Sequence, residues 1–297
     1  MAPDRLAGCG TALVTPFADD GAVDEAALRA LVDWQIEQGV HFVVPCGSTG
    51  EAATMTPAEH RRVVAIVADQ TAGRVPVVAG AGSNDTARAV ALSREMQAAG
   101  ATHLLHVSPM YNKPPQRGIV AHFHAVADAA ALPVVVYNVP GRTASNIEAA
   151  TTLQLAEHPR IVGVKEASGN LAQIDEIIRH RPEKFSVLSG DDALTLAVMA
   201  HGGDGVISVI SNATPRLMAE LVNFARAGDF AAARATHHRL GAWMTAAFVE
   251  SNPLPVKAAL AMQGRIRNVL RSPLVPLDPA HEARVRAALV AAGALES

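Results

Sequence analysis

The feature that most limits what this chain can fold into is a unit that recurs along it: a short β-branched or apolar run, a turn, then a stretch of helical periodicity. The runs predicted as strands are Gly10–Phe17 (entered through Gly8 and Cys9), His41–Cys46, Val75–Gly80, Thr102–Ser108, Pro133–Val139, Ile161–Ala167, Phe185–Gly190 and Gly205–Ile210. Between them the spacing predicts helices, among them Asp24–Gln38, Pro57–Thr71, Asn84–Ala99 and Gln116–Ala131. The starts carry capping residues: Asp24 before Glu25, Thr56-Pro57 with Glu59 in the first turn, and Asn84-Asp85. Gly39 and Gly100 stand where helix-ending glycines belong. Eight such units over about 210 residues predict an α/β fold, a closed (β/α)8 TIM barrel. A doubly wound open sheet would place a Gly-rich G-x-G-x-x-G turn after its first strand. Here that strand runs instead into Thr15-Pro16-Phe17.

From about Ala227 the strand signals stop, and the tail reads as helices broken up by Pro253, Pro255, Pro273, Pro276 and Pro279. The expected division is a catalytic barrel over 1–226 and a C-terminal helical appendage over 227–297. Hydrophobic residues make up 49 % of the 297 and charged residues 18 %, enough to bury a sizeable core and too apolar for disorder. With 25 basic against 28 acidic residues, the charge balance gives no reason to expect nucleic acid or a membrane surface as a partner. Two cysteines, Cys9 and Cys46, do not make a disulfide framework and fit a reducing compartment. Leu6-Ala7-Gly8-Cys9 has the look of a lipoprotein cleavage box. Met1 to Arg5 cannot supply the basic and apolar segments such a signal needs, so a soluble, cytoplasmic protein is expected.

In a barrel of this kind, chemistry belongs at the C-terminal ends of the strands. Of the four lysines, only Lys165 interrupts an apolar strand, Ile161-Val162-Gly163-Val164-Lys165-Glu166-Ala167. Strict alternation puts Ile161, Gly163, Lys165 and Ala167 on the inward face, with Gly163 making room, and Val162, Val164 and Glu166 against the outer helices. Burial disfavours an ammonium, so such an amine becomes available near neutral pH as a carbonyl-trapping nucleophile. A lysine paired with a carboxylate as a structural element is the other reading, and Glu166, on the opposite face, is a poor partner for it.

The two tyrosines, Tyr111 and Tyr137, both fall at predicted strand ends, where a phenol can move protons; a core or rim role is the alternative. Gly47-Ser48-Thr49-Gly50-Glu51 follows the second strand and can present backbone N–H groups to an anion, or be a capped tight turn. Arg142, just past the fifth strand, has the planar fork that suits a carboxylate. No catalytic metal is expected: His122 and His124 diverge on a helix, His237 and His238 are adjacent, and Asp191-Asp192 reads as a helix cap.

Gly47-Ser48-Thr49-Gly50-Glu51, Tyr137-Asn138-Val139-Pro140-Gly141-Arg142-Thr143, Gly163-Val164-Lys165-Glu166-Ala167-Ser168-Gly169-Asn170 and Leu188-Ser189-Gly190-Asp191-Asp192 together resemble the dihydrodipicolinate synthase / N-acetylneuraminate lyase family. The similarity continues through Gly205-Val206-Ile207-Ser208 and Asn252-Pro253-Leu254-Pro255-Val256-Lys257. The resemblance implies Lys165 as the Schiff-base lysine, with no cofactor beyond the imine it forms with pyruvate. It implies Tyr137 as acid/base phenol, and Thr49 relaying protons between Tyr137 and a Tyr111 reaching in from a neighbouring subunit. Ser48 and Thr49 would hold the pyruvate carboxylate, Ile207 would offer its backbone, and the assembly would be a homotetramer, a dimer of dimers. Arg142 points within the family to L-aspartate-4-semialdehyde as the second substrate and 4-hydroxy-tetrahydrodipicolinate as product, on the route to lysine and diaminopimelate.

A sugar-acid, sialic acid or 4-hydroxy-2-oxoglutarate aldolase of the same family, a non-catalytic ligand-binding paralogue and a phosphate-binding barrel (from Gly202-Gly203 and Gly205) are the rivals. Feedback-inhibited members bind lysine through a His, a Glu and a Tyr at positions where this chain has Pro57, Arg88 and Met110 while keeping His60 and Asn84. Exchanging a carboxylate for a guanidinium repels a cationic effector, so weak or absent lysine inhibition is expected.

Overall fold

The computed structural model describes residues 5–296. Residues 1–4, which carry most of the argument against an N-terminal lipid signal, lie outside that range. Eight parallel strands form the sheet: β1 (Gly8–Ala12), β2 (Phe42–Val44), β3 (Val78–Gly80), β4 (His103–Val107), β5 (Val134–Asn138), β6 (Ile161–Glu166), β7 (Ser186–Ser189) and β8 (Gly205–Ser208). The ladder runs β2-β1-β8-β7-β6-β5-β4-β3. A parallel bridge between Val43 and Val77 joins its two ends and makes it a TIM barrel. The strands are shorter than the apolar runs that predicted them.

The helices follow the period of the repeat: α1 (Glu25–Glu37), α2 (Pro57–Thr71), α3 (Thr86–Ala98), α4 (Gln116–Ala129), the single turn α5 (Pro140–Thr143), α6 (Ala149–Ala156), α7 (Leu171–His180), α8 (Thr195–Ala200) and α9 (Pro215–Arg226). Thr56 and Glu59 form a reciprocal capping box at the start of α2, satisfying two backbone donors at once. Asp24 caps α1 and Asp85, rather than Asn84, caps α3. Two apolar layers result. One, including Val64, Leu104, Val136 and Val164, lies between strands and helices; the other, including Phe42, Leu105, Val135, Leu188 and Ile207, fills the barrel interior.

Three further helices follow: α10 (Phe230–Ala246), α11 (Leu254–Met262) and α12 (Pro279–Ala292). The prolines expected to break this tail in part begin its helices, since a first-turn proline has no N–H to leave unpaired. Pro255 lies in the first turn of α11 and Pro279 opens α12. Trp243 of α10 is fully buried and donates its indole N–H to Ile210 O at 3.4 Å, fastening the tail beside β8. Among the described residues no helix is long and apolar enough to cross a membrane.

Candidate active site

A cavity of about 770 Å³ opens at the C-terminal ends of the strands, with Lys165, Tyr137, Thr49, Ser48 and Arg142 in its wall. Its position follows from register: Tyr137 on β5 pairs with Lys165 on β6, which pairs with Leu188 on β7, so one layer of the barrel carries the phenol and the amine side by side. Lys165 Nζ stands 4.3 Å from the centre of the Tyr137 ring.

Lys165 points inward, but not by strict alternation. A bulge sets Ile161 opposite Val134 and Gly163 opposite Val135, leaving Val162 as an extra residue. Ile161 therefore packs in the outer layer and Val162 against the interior one, the reverse of the expected assignment. The bulge restores the phase by Val164, which packs outward. Gly163 is small for a different reason than expected: a Cβ there would come within 2.8 Å of Ser186 O on the neighbouring strand. The glycine that makes room for the lysine is Gly190, whose added Cβ would lie 3.1 Å from both Lys165 Cγ and Cε.

Burial lowers the Lys165 pKa to about 8, against an opposing pull from Asp192 and with a smaller push from Arg142. Among the described residues no carboxylate forms an ion pair with it. The description of a structural buried pair fits Lys257 instead. That side chain is fully buried, with Nζ 2.6 Å from an equally buried Glu51 Oε1. Glu166 is buried on the outer face, accepting from Asn138 Nδ2, the Ser168 N–H and Gln173 Nε2. Burial pushes the Tyr137 phenol up to about 12, so it keeps its proton and serves as a donor.

The turn after β2 is bounded by left-handed Cys46 and Glu51, both at φ 56°. Thr15 Oγ1 holds it by donating to Gly50 O at 2.7 Å. Glu51 is fixed twice more, by Lys257 and by the Arg271 N–H at 3.1 Å from its Oε2. Among the described residues the Ser48 and Thr49 N–H groups donate to no acceptor of the chain, which leaves them able to face an anion.

Two expected site residues do not line the cavity of this chain. Tyr111 sits on the loop after β4, 89 % exposed and in the left-handed region, outside the cavity wall of its own chain. Ile207 is buried in the interior layer, and the cavity wall at the end of β8 is Val209.

Two further contributions were not among the expected site residues. Asp192 is buried, with Oδ2 accepting from the Val209 and Ile210 N–H groups at 3.1 Å each, and burial raises its pKa to about 6. Its neighbour Asp191 is the cap, accepting from the Ala193 N–H. The second is the tail: Phe248, Ser251 and Asn252 all line the cavity. Asn252 Nδ2 donates to Thr49 Oγ1 at 2.9 Å, and its main-chain oxygen accepts from Arg142 Nη2 at 3.2 Å. The Asn-Pro-Leu-Pro-Val-Lys stretch was the available signal, though no periodicity places it near a strand end.

A profile of the dihydrodipicolinate synthetase family matches residues 5–292. This chain belongs to that family. A 4-hydroxy-tetrahydrodipicolinate synthase of Koribacter versatilis is 53 % identical over 294 residues, covering 99 % of this chain and 98 % of its own. Among solved members of the family, the dihydrodipicolinate synthase of Aquifex aeolicus superposes with a TM-score of 0.95 at 41 % identity, over 98 % of this chain and 100 % of that one. The chloride-inhibited dihydrodipicolinate synthase of Acinetobacter baumannii, solved with pyruvate, gives a TM-score of 0.96 at 40 % identity, over 97 % and 99 %.

Proposed function

We propose that this family member is a Schiff-base lyase that condenses pyruvate with L-aspartate-4-semialdehyde to give 4-hydroxy-tetrahydrodipicolinate, in lysine and diaminopimelate biosynthesis. The observation that carries the reading is Lys165: buried, free of any ion pair among the described residues, with its pKa lowered to about 8 and a protonated phenol beside it. The neutral Nζ adds to C2 of pyruvate while the carbonyl oxygen takes a proton from Tyr137. Loss of water from this carbinolamine leaves the imine, and loss of a C3 proton gives an enamine. C3 then bonds to the aldehyde carbon of the semialdehyde, whose oxygen becomes a hydroxyl. The semialdehyde's own amine finally displaces Lys165 from C2, closing the ring and regenerating the free amine.

Ser48 and Thr49 hold the pyruvate carboxylate through their backbone N–H groups, and the Arg142 fork holds the carboxylate of the second substrate. Ile207 acts through its backbone only, beneath the cavity. Thr49 passes protons between Tyr137 and Tyr111. In this reading Tyr111, exposed in its own chain, serves the site of a second copy, within a homotetramer built as a dimer of dimers. No cofactor takes part, and the protein is cytoplasmic. Reductive trapping tests the core of this: borohydride with pyruvate is expected to leave a reduced adduct on the peptide containing Lys165, read by mass spectrometry. An unmodified peptide, or full turnover in Lys165→Arg, refutes it.

A further inference from the structure

Asn252 reaches the cavity from the connection between α10 and α11, outside every βα unit of the barrel. It is 7 % exposed and Thr49 is 3 % exposed, so water does not compete freely for the 2.9 Å bond between them. A threonine hydroxyl has one proton and two lone pairs, while an amide NH2 only donates. With Asn252 Nδ2 occupying a lone pair, the hydroxyl proton is barred from that side and turns toward another acceptor. A β-branched side chain has few rotamers with which to escape this. The turn that carries Thr49 is itself pinned from the tail, through Lys257 on Glu51 Oε1 and the Arg271 N–H on Glu51 Oε2. The Asn252 main-chain oxygen also accepts from Arg142, so one tail residue fixes side chains on two separate loops of the barrel.

We propose that Asn252 is a positioning residue that sets the direction of the Thr49 hydroxyl, holding its proton toward the cavity. This rests on reading Thr49 as a proton relay. The step that depends on it is the transfer in which Thr49 passes its proton on while receiving another, with no net change at the hydroxyl. A side chain of the tail, and not only those of the barrel, is then part of the catalytic arrangement.

Steady-state kinetics on Asn252→Ala and Asn252→Asp, each alone and combined with Thr49→Val, test it. Loss of one neutral hydrogen bond predicts a kcat lower by about three- to tenfold in Asn252→Ala, with KM for pyruvate little changed. Asn252→Asp has nearly the same shape but its ionised carboxylate accepts, turning the Thr49 proton away from the cavity. Its kcat is therefore expected below that of Asn252→Ala. It should also fall as pH rises through ionisation of the introduced carboxyl, where the parent protein's activity rises. In the Thr49→Val background neither change should lower kcat by more than about twofold, since the group it acts through is gone.

Full activity in Asn252→Asp means the amide oxygen faces Thr49 and overturns the proposal. So do effects that multiply with Thr49→Val, the result of a merely structural role. Should Asn252→Ala not fold, the near-isosteric Asn252→Asp and its pH profile carry the test alone. A parent protein that fails to consume pyruvate with the semialdehyde refutes the assigned reaction instead, a result seen before any variant is made.

Discussion

Replacing Lys257 by methionine keeps most of the volume of the side chain but removes the charge that faces Glu51. Both groups are fully buried, 2.6 Å apart. In such pairs, removing one partner strands the other and costs about 3–5 kcal/mol. The cation also stacks on Phe17, 4.3 Å from its ring centre, with Arg271 at 4.4 Å from the same ring. Arg271 remains in the variant, held by Glu59 and by Gly21 O, so part of the cation–π contact survives. An unfolding entropy of about 2.1 cal/mol/K per residue gives a chain of this length roughly 0.6 kcal/mol/K, so the melting temperature should drop by about 5–8 °C. Thermal unfolding followed by circular dichroism measures this.

Adding Glu51→Gln to Lys257→Met should recover much of the loss. The amide oxygen can still accept from the Arg271 N–H, and no charge is left unpaired. A single variant that melts within about 2 °C of the parent, or a double variant less stable than the single, refutes the argument from an uncompensated buried charge.

Imine formation needs the neutral amine, so kcat/KM for pyruvate should climb about tenfold per pH unit below the Lys165 pKa of about 8 and level off above it. Asp192 raises that pKa, so Asp192→Asn should move the midpoint of a pH–rate profile downward; a midpoint that stays or rises contradicts the electrostatics. Arg142→Ala should cut kcat/KM for the semialdehyde by roughly tenfold to a hundredfold while leaving borohydride trapping of pyruvate intact, and Arg142→Lys should restore only part, lacking the fork. The same cavity extends to Pro57, Asn84 and Arg88, with Glu95 also in its wall. L-lysine should inhibit weakly or not at all in a steady-state assay, and a micromolar inhibition constant would overturn that expectation.

The barrel could be read from the chain because its determinants are local. Eight apolar runs bounded by turns, Thr56 with Glu59 as a capping box, and Asp24 before α1 act within a few residues of themselves. The inward lysine was legible for a related reason: one ammonium in an apolar strand has few places to go. The path to it was less so. The bulge at Val162 exchanges the faces of Ile161 and Val162, and it exists only because β5 and β6 slip by one residue where they pair. Gly163 and Gly190 look alike in sequence, and only the packing of two adjacent strands decides which one borders the lysine.

By itself the sequence determined the eight-unit α/β pattern, the helical tail and a lysine set into an apolar strand, since each follows from periodicity or from one charge among apolar neighbours. Tertiary structure decided which lysine is unpaired and which is neutralised. Lys165 and Lys257 are both buried, and what separates them is a carboxylate more than two hundred positions from Lys257 in the chain, brought within 2.6 Å by the closing of the barrel and the docking of the tail. The same docking set Asn252 on Thr49. Hydrogen bonds and ion pairs of that span have no period to betray them, because they depend on where whole elements come to rest.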